Sequence, residues 1–453
     1  MTRLTLTVTD IADSGAGISE IEEGGRPLRV FVPGALPGDR VVAEPLPRPQ
    51  GSHSLVVRVQ EFAERSPFRR ERPFCEHYAR CGGCPLAGLA YGAQLELKRR
   101  RLLALFGGIL PAEAVEPVLG LKDGKAPRRN KALLHFSGAA GALKLGLYAQ
   151  GTHEVLPETL SCPQCPAWME RASRAVLELG ADLGLDAWDE QKGEGMLRAL
   201  LLRDAGAGGR LAALVCGREP DKAFCAALAR SLGAAGVTAA CVFVNEKPGN
   251  APLRGRSFAV LGDGTAAAEI GGLAFRVRPE TFLQVNPVQT PRLYEAALGM
   301  AGLSPEADVL DLYCGVGTLT LLAARRSRRA LGVEIVPASI EQAKENAKLN
   351  GIRNADFLCG PAEALMPEIA ASGFAPRAVI ADPPRKGLEE SVPAAIAALK
   401  PERIVYIACG PAALARDCRR FAALGYRAAK LVPVDLFSET QHVEAVCLLE
   451  KAG

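Results

Sequence analysis

The sequence predicts an α/β chain: a doubly wound, mostly parallel sheet in residues 274–453, preceded by a small all-β barrel and an α+β middle. Three observations predict it. From about Ala274 onward, apolar strand-like runs alternate regularly with helical segments, the pattern of a sheet with helices on both faces. Residues 2–62 instead alternate apolar and polar positions in short runs broken by Gly/Pro turns, which fits a compact barrel. Residues 165–275 mix helical and strand periods. The boundaries therefore fall at 1–63, 64–273 and 274–453.

Composition bounds the function. A chain of 453 residues holds two or three cores, and 48% hydrophobic with 23% charged residues is ordinary globular composition. No run approaches the roughly 18 apolar residues of a membrane span, so no membrane partner is expected. The start, MTRLTLTVTD, lacks an apolar h-region, and 13 cysteines is an odd number. Both point to the reducing cytoplasm, where clustered cysteines serve as metal ligands or nucleophiles more often than as bridges. A monomer is expected. The net charge of +4 is small, but residues 65–101 carry nine Lys and Arg against three Glu. Such a face suits phosphate contacts or is simply solvated.

In the barrel, Leu4-Leu6-Val8, Val30-Val32, Val41-Val42 and Val56-Val57-Val59 supply the strands. Next come Cys75, Cys81, Cys84 and, far downstream, Cys162 and Cys165; Gly82-Gly83 lets the first loop wrap a metal, zinc or an iron–sulfur cluster. Residues 91–106 read as an amphipathic helix with Leu95, Leu102, Leu103 and Phe106 on its apolar side, a basic stripe at 98–101, and a stop at Gly107-Gly108. Residues 128–157 read as paired strands. Helices at 168–185 and 221–232 follow, with strands at 200–203, 211–215 and 242–245. The last region has strands at 309–312, 330–333, 355–358, 378–381 and 404–408, then two consecutive strands, 429–437 and 444–450, that form an antiparallel edge.

Chemistry gathers at the ends of those strands. DLYCGVGTLTL, residues 311–321, puts a Gly-rich turn between strand and helix, where the backbone can approach a ligand closely. Glu334 ends the next strand, placed to accept ribose hydroxyls. Leu319 breaks the GxGxxG pattern of a dinucleotide enzyme, so the adenosine ligand is S-adenosylmethionine rather than NAD. Asp382-Pro383-Pro384-Arg385 follows the fourth strand, its prolines fixing an extended loop. Amine methylation would call for an aromatic in place of Arg385; a carbon target is expected. The run 404–411 stops on Cys409-Gly410-Pro411, a thiol at a strand's carboxyl end.

FLQVN (282–286), DLYCGVGTLTL, GVE, DPPRKG, YIACGP and TQHVEAV (440–446) occur in the order found in the RNA uracil-5-methyltransferase family, which the chain resembles over nearly its whole length. GAG at 15–17 and FVPGALPGD at 31–39 resemble a TRAM domain, an oligonucleotide-binding-type barrel that binds RNA. The resemblance implies a class I methyltransferase (Rossmann-like) domain and transfer of a methyl group from S-adenosylmethionine to C5 of a uridine. It implies Gln284, Tyr313, Gly315, Glu334 and Asp382 around the cofactor, Cys409 as nucleophile and Glu444 as base. It further implies the branch carrying a [4Fe-4S] cluster, on Cys75, Cys81, Cys84 and Cys162 in preference to Cys165. That branch favours 23S ribosomal RNA, with transfer RNA the alternative. The chemistry is coherent: uracil C5 attacks a methyl group only after a thiolate adds at C6, and a base must then remove the C5 proton. The base must also be flipped out of folded RNA.

The chain departs from the family pattern twice. Ala408-Cys409-Gly410-Pro411 stands where Ser-Cys-Asn-Pro is common, and Gly360-Pro361-Ala362-Glu363 lacks the carboxamide or carboxylate often found near adenine two positions before this Glu. Two other readings are a radical S-adenosylmethionine enzyme, whose usual Cys-x3-Cys-x2-Cys differs from the Cys-x5-Cys-x2-Cys here, and a non-catalytic RNA-binding protein.

Overall fold

In the computed structural model, which describes residues 3–12, 14–48, 53–122, 129–249 and 253–452, all seven apolar runs expected in the last region lie in one sheet. Its strands, in spatial order, are Ala355–Cys359, Arg329–Glu334, Asp308–Leu312, Ala378–Ala381, Arg403–Ala408, Glu444–Lys451 and Tyr426–Val434. The first five are parallel and the last two antiparallel, the edge that the consecutive strands predicted. The strand order reverses between Asp308–Leu312 and Ala378–Ala381. Ligands in open α/β sheets sit at such a switch point, beyond the strands' carboxyl ends. Continuous apolar runs make these strands because both faces are covered: every residue of Asp308–Leu312 and Ala378–Ala381 is buried.

The chain divides into two compact units: residues 1–101 with 148–154 and 437–442, and the remainder. In the first, a six-stranded sheet runs Leu4–Thr7, Arg40–Pro45, Ser54–Glu64, Arg26–Val32, Gly17–Glu23, Asp10–Ile11. Leu6 on the edge strand shares a core with Leu28 and Val30 three strands away. A flat sheet would hold such positions roughly 14 Å apart, so the sheet curls on itself.

Residues 64–101, expected within the central domain, belong to this first unit. Buried Asp39 explains part of this: it accepts bonds from Leu36 N (2.7 Å), Ser66 N (2.9 Å) and Arg69 Nε (2.8 Å). Buried Glu439 explains more, taking both Arg70 Nη atoms at 3.0 Å and Gln94 Nε2 at 2.8 Å. The helix Tyr91–Phe106 buries Leu102 and Phe106 of its expected apolar side, and part of its basic stripe with them. Lys98 is fully buried and donates to the Phe437 carbonyl (3.1 Å), while Arg101 Nε holds Asp10. Two members of the basic stripe are thus internal fasteners, not a phosphate-facing surface.

The second unit also holds a seven-stranded sheet with Lys131–Ser137, Leu197–Gly206, Gly209–Cys216 and Ala239–Val244 at its centre. Arg128, at the start of the expected paired strands, lies outside the described residues. Strand alternation splits the sheet's two faces: Leu200 and Leu202 pack with Trp168, Val176 and Leu228 of the helices Ala167–Asp182 and Lys222–Ala234, and Ala199 and Leu201 pack with Val215 and Phe243. Asp221 caps the second helix through Phe224 N (2.7 Å). The hairpin Ala266–Ile270/Leu273–Val277 then leads into FLQVN, turning at Gly271 and Gly272, both at positive φ as a two-residue hairpin turn requires.

Candidate active site

Asp308–Leu312 ends in a turn whose backbone only some residues tolerate. Tyr313 sits at φ 66°, left-handed and rare for a side chain of its size, and Gly315 and Gly317 are at 55° and 79°. A side chain on Gly315 would meet nothing within 4 Å, so the turn borders open space; one on Gly317 would press on Ala343 and Phe357 at 3.0 Å. Glu334, half-buried at the end of the neighbouring strand, braces the turn: Oε2 accepts Gly315 N (3.1 Å) and Oε1 accepts Val336 N (2.9 Å). A carboxylate has about four acceptor sites, so each oxygen keeps capacity for a ligand hydroxyl.

Asp311, inside the same strand, is buried and accepts the Thr320 hydroxyl. Burial pushes its carboxyl up to about 7, opposed by that bond. A carboxyl raised on folding contributes stability that is full below about 3.8 and is lost as pH rises to about 7. Asp311→Asn keeps an acceptor for Thr320 without the ionisation. It should match wild type in thermal unfolding at pH 4 and exceed it at pH 8, on the order of a few kcal/mol. Equal pH dependence of the two proteins would contradict this.

The fourth strand delivers Asp382, whose Oδ2 accepts from Gln284 Nε2 at 3.2 Å. Burial pushes this carboxyl up to about 7 as well. Gln284 is held from the central sheet: Asn130 Nδ2 donates to the Gln284 carbonyl (2.7 Å), Asn130 N to Val285 O (2.9 Å), and buried Arg203 to the Thr281 carbonyl. Asn286, fully buried, accepts from Val288 N and Gln289 N at 3.2 Å just before the helix Thr290–Ala301. Between these anchors Phe282 stays 65% exposed.

Cys409 follows Arg403–Ala408 and is half-buried. Burial raises its thiol above the ordinary value, the carboxyls of Glu444 and Asp382 add to the rise, and the Arg385 guanidinium opposes it. Glu444 begins the adjacent antiparallel strand, with Ala445 paired to Ala408. It is 2% exposed, and burial, reinforced by Asp382, drives its carboxyl well above the usual range while Arg385 opposes. A buried carboxyl, a half-buried one, a thiol and a guanidinium thus influence one another at one sheet edge, and perturbed groups in that arrangement mark reactive sites.

All seven expected catalytic and cofactor residues lie in the second unit; a hydrogen bond and electrostatic influence link Gln284, Asp382, Glu444 and Cys409 in one group, and a hydrogen bond links Gly315 and Glu334 in another. The metal-ligand set fares differently. Cys75, Cys81, Cys84, Cys162 and Cys165 are all half-buried, and Cys162 and Cys165 interact with each other. Among the described residues, no three His, Cys, Asp or Glu side chains are gathered closely enough to hold a metal ion.

Sequence reading missed Tyr294, Asn130 and Arg203. Tyr294 is buried, and burial with the nearby carboxyls of Asp382, Asp311 and Glu444 raises its phenol while Gln284 opposes the rise. Nothing in LYEAAL separates it from an ordinary core position on a helix, and Asn130 and Arg203 act through partners 75 or more residues away.

Residues 269–452 match the family model described as tRNA (Uracil-5-)-methyltransferase. An uncharacterized RNA methyltransferase of Clostridium acetobutylicum is 33% identical over 98% of this chain and 96% of its own. One of Halalkalibacterium halodurans is 34% identical with the same coverages. Among solved structures, the tRNA (uracil-54, C5)-methyltransferase of Pyrococcus abyssi, in complex with S-adenosyl-L-homocysteine, superposes with a TM-score of 0.74 at 22% identity, covering 98% of this chain and 100% of that one. The fold is therefore shared, and with relatives alike from end to end the chain belongs to the RNA uracil-5-methyltransferase family.

Proposed function

We propose that the chain moves a methyl group from S-adenosylmethionine to C5 of a uridine in RNA, with Cys409 as nucleophile and Glu444 as base. The observation that carries this is that Asp382, Cys409 and Glu444 stand at the same end of three neighbouring strands, where the carboxyls and Arg385 perturb the Cys409 thiol. When bound, S-adenosylmethionine supplies an electrophilic methyl on a sulfonium. Gly315 leaves room for it, Glu334 accepts its ribose hydroxyls, and Tyr313, Gln284 and Asp382 line the remainder. Cys409 adds to uracil C6, giving C5 the electron density it lacks; Glu444 then takes the C5 proton, and the thiol leaves. Arg385 favours the thiolate and balances the carboxyls.

Glu334→Gln leaves its shape but weakens acceptance of two hydroxyls. Calorimetry should find S-adenosylhomocysteine bound about 10-fold or more weakly. Unchanged affinity would remove Glu334 from the cofactor site.

In this reading residues 1–63 hold RNA, 64–273 carry the cysteine segment and 274–453 carry out the transfer, in a cytoplasmic monomer. No described helix is long and apolar enough to cross a membrane. The RNA proposed is 23S ribosomal RNA, on the likeness of the barrel and cysteine segment to that branch. Transfer RNA is the second reading, favoured by the description of the matching family. Mapping 5-methyluridine in both RNAs from a strain lacking the gene decides between them. Release of S-adenosylhomocysteine supports the polar transfer, and 5′-deoxyadenosine would replace it with radical chemistry. RNA binding without either product would leave a binding protein.

The [4Fe-4S] cluster has no step here. Thiols suit iron chemically, but methyl transfer from a sulfonium requires no electron. About four irons per anaerobically purified chain would restore the cluster to this reading.

A further inference from the structure

We propose that Asp417 and Gly410 clamp the 382–387 loop against the nucleophile's strand and helix, and so act as positioning residues that hold Arg385 beside Cys409. This rests on Cys409 being the reactive thiol of the proposed function.

Asp417 lies one and a half turns into Pro411–Ala422, the helix that starts just after Cys409, and is fully buried. Its Oδ2 accepts the Tyr406 hydroxyl (2.9 Å), from the strand that delivers Cys409, and Leu388 N (3.0 Å), from the end of the loop. Arg416 Nε (2.9 Å) and Arg420 Nη1 (3.1 Å) donate to Oδ1. Arg416 Nη2 also holds the Lys386 carbonyl at 2.9 Å. A buried carboxylate is tolerated only when charge and lone pairs are satisfied together, so this network favours one arrangement of strand, loop and helix.

Two glycines let the loop come this close. Gly387 is at φ 83°, and a Cβ there would lie 2.6 Å from Asp417 Oδ2 and from Arg416 Nη2. A Cβ on Gly410 would lie 2.7 Å from the Arg385 carbonyl oxygen, a backbone atom that cannot swing aside. The glycine that departs from the family's asparagine is thus where the nucleophile's turn touches the backbone bearing Arg385. With Pro383 and Pro384 stiffening the other end, the backbone that carries Arg385 has little freedom to shift.

The groups facing Cys409 are Glu444 from its strand and Asp382 and Arg385 from the loop; the carboxyls disfavour the thiolate and Arg385 favours it. Alkylation of Cys409 by iodoacetamide across pH, read on its own peptide by mass spectrometry in the full-length chain, therefore senses the clamp. D417N and G410A should each shift the alkylation midpoint upward by about 0.5 pH or more. They should lower kcat about 10-fold while KM for RNA stays within about 2-fold. R385M should shift the midpoint the same way, and D417N/R385M no further than R385M alone. An unchanged midpoint in folded D417N or G410A overturns the proposal, as does a double variant whose shift is the sum of the two. If D417N does not fold, G410A decides. Wild-type protein that transfers no methyl to RNA would defeat the proposed function, while the alkylation midpoints would still report on the clamp.

Discussion

Cys409→Ala should abolish methylation of RNA, with a loss on the order of 10⁴-fold or more in kcat. The size follows from the substrate. Uracil C5 is not nucleophilic enough to take a methyl group, and no other thiol is coupled to Glu444, Asp382 and Arg385 as Cys409 is among the described groups. The alanine chain should still bind S-adenosylhomocysteine, because Glu334 and Gly315 belong to a different turn. It should form no denaturant-stable adduct with RNA containing 5-fluorouridine, whose C5 fluorine cannot be removed as a proton. Because burial and two carboxyls raise the Cys409 thiol, the thiolate is a minority at neutral pH, and the single-turnover rate of wild type should climb as pH rises towards 9. Methylation by the alanine chain, or undiminished trapping, would remove Cys409 from the mechanism.

Glu444→Gln should stall the reaction later. Addition and methyl transfer need only the thiol and the cofactor, so methylated uridine should accumulate as a covalent adduct on Cys409. Turnover should fall about 10²- to 10⁴-fold. Gel mobility and mass of the adduct check this, and multiple turnovers without an adduct would assign the base elsewhere. The substitution also has a signed effect on stability. The Glu444 carboxyl is raised by burial and by Asp382, so its contribution is full below about 4.5 and is lost as pH rises through its folded value. The glutamine chain should gain in melting temperature relative to wild type as pH increases, while losing activity. Loss of both together would point to misfolding.

How much of this was legible beforehand depends on the distance over which a residue acts. Cys409, Asp382 and Glu334 could be found because each ends an apolar run, and a run long enough to be a buried strand also fixes which end faces the ligand edge. The role of Gly410 was invisible: its φ is ordinary for any residue, and only the approach of the Arg385 carbonyl means that a side chain there would push the loop away. Lys98 and Arg101 misled for a related reason. A run of four cations reads as surface until buried partners such as the Phe437 carbonyl, 339 residues away, are in place.

The sequence by itself determined the seven strands of the last sheet, its antiparallel edge and the motifs at the strand ends, because hydrophobic period and turn chemistry are local properties. Tertiary structure alone decided that residues 64–101 join the curled sheet through Asp39 and the 437–442 segment through Glu439, that Asn130 and Arg203 hold FLQVN, and that Asp417 clamps the Arg385 loop. Each of these depends on a buried charge or amide finding a partner remote in the chain. Desolvation makes such pairing obligatory without marking, in the sequence, which partner it will be.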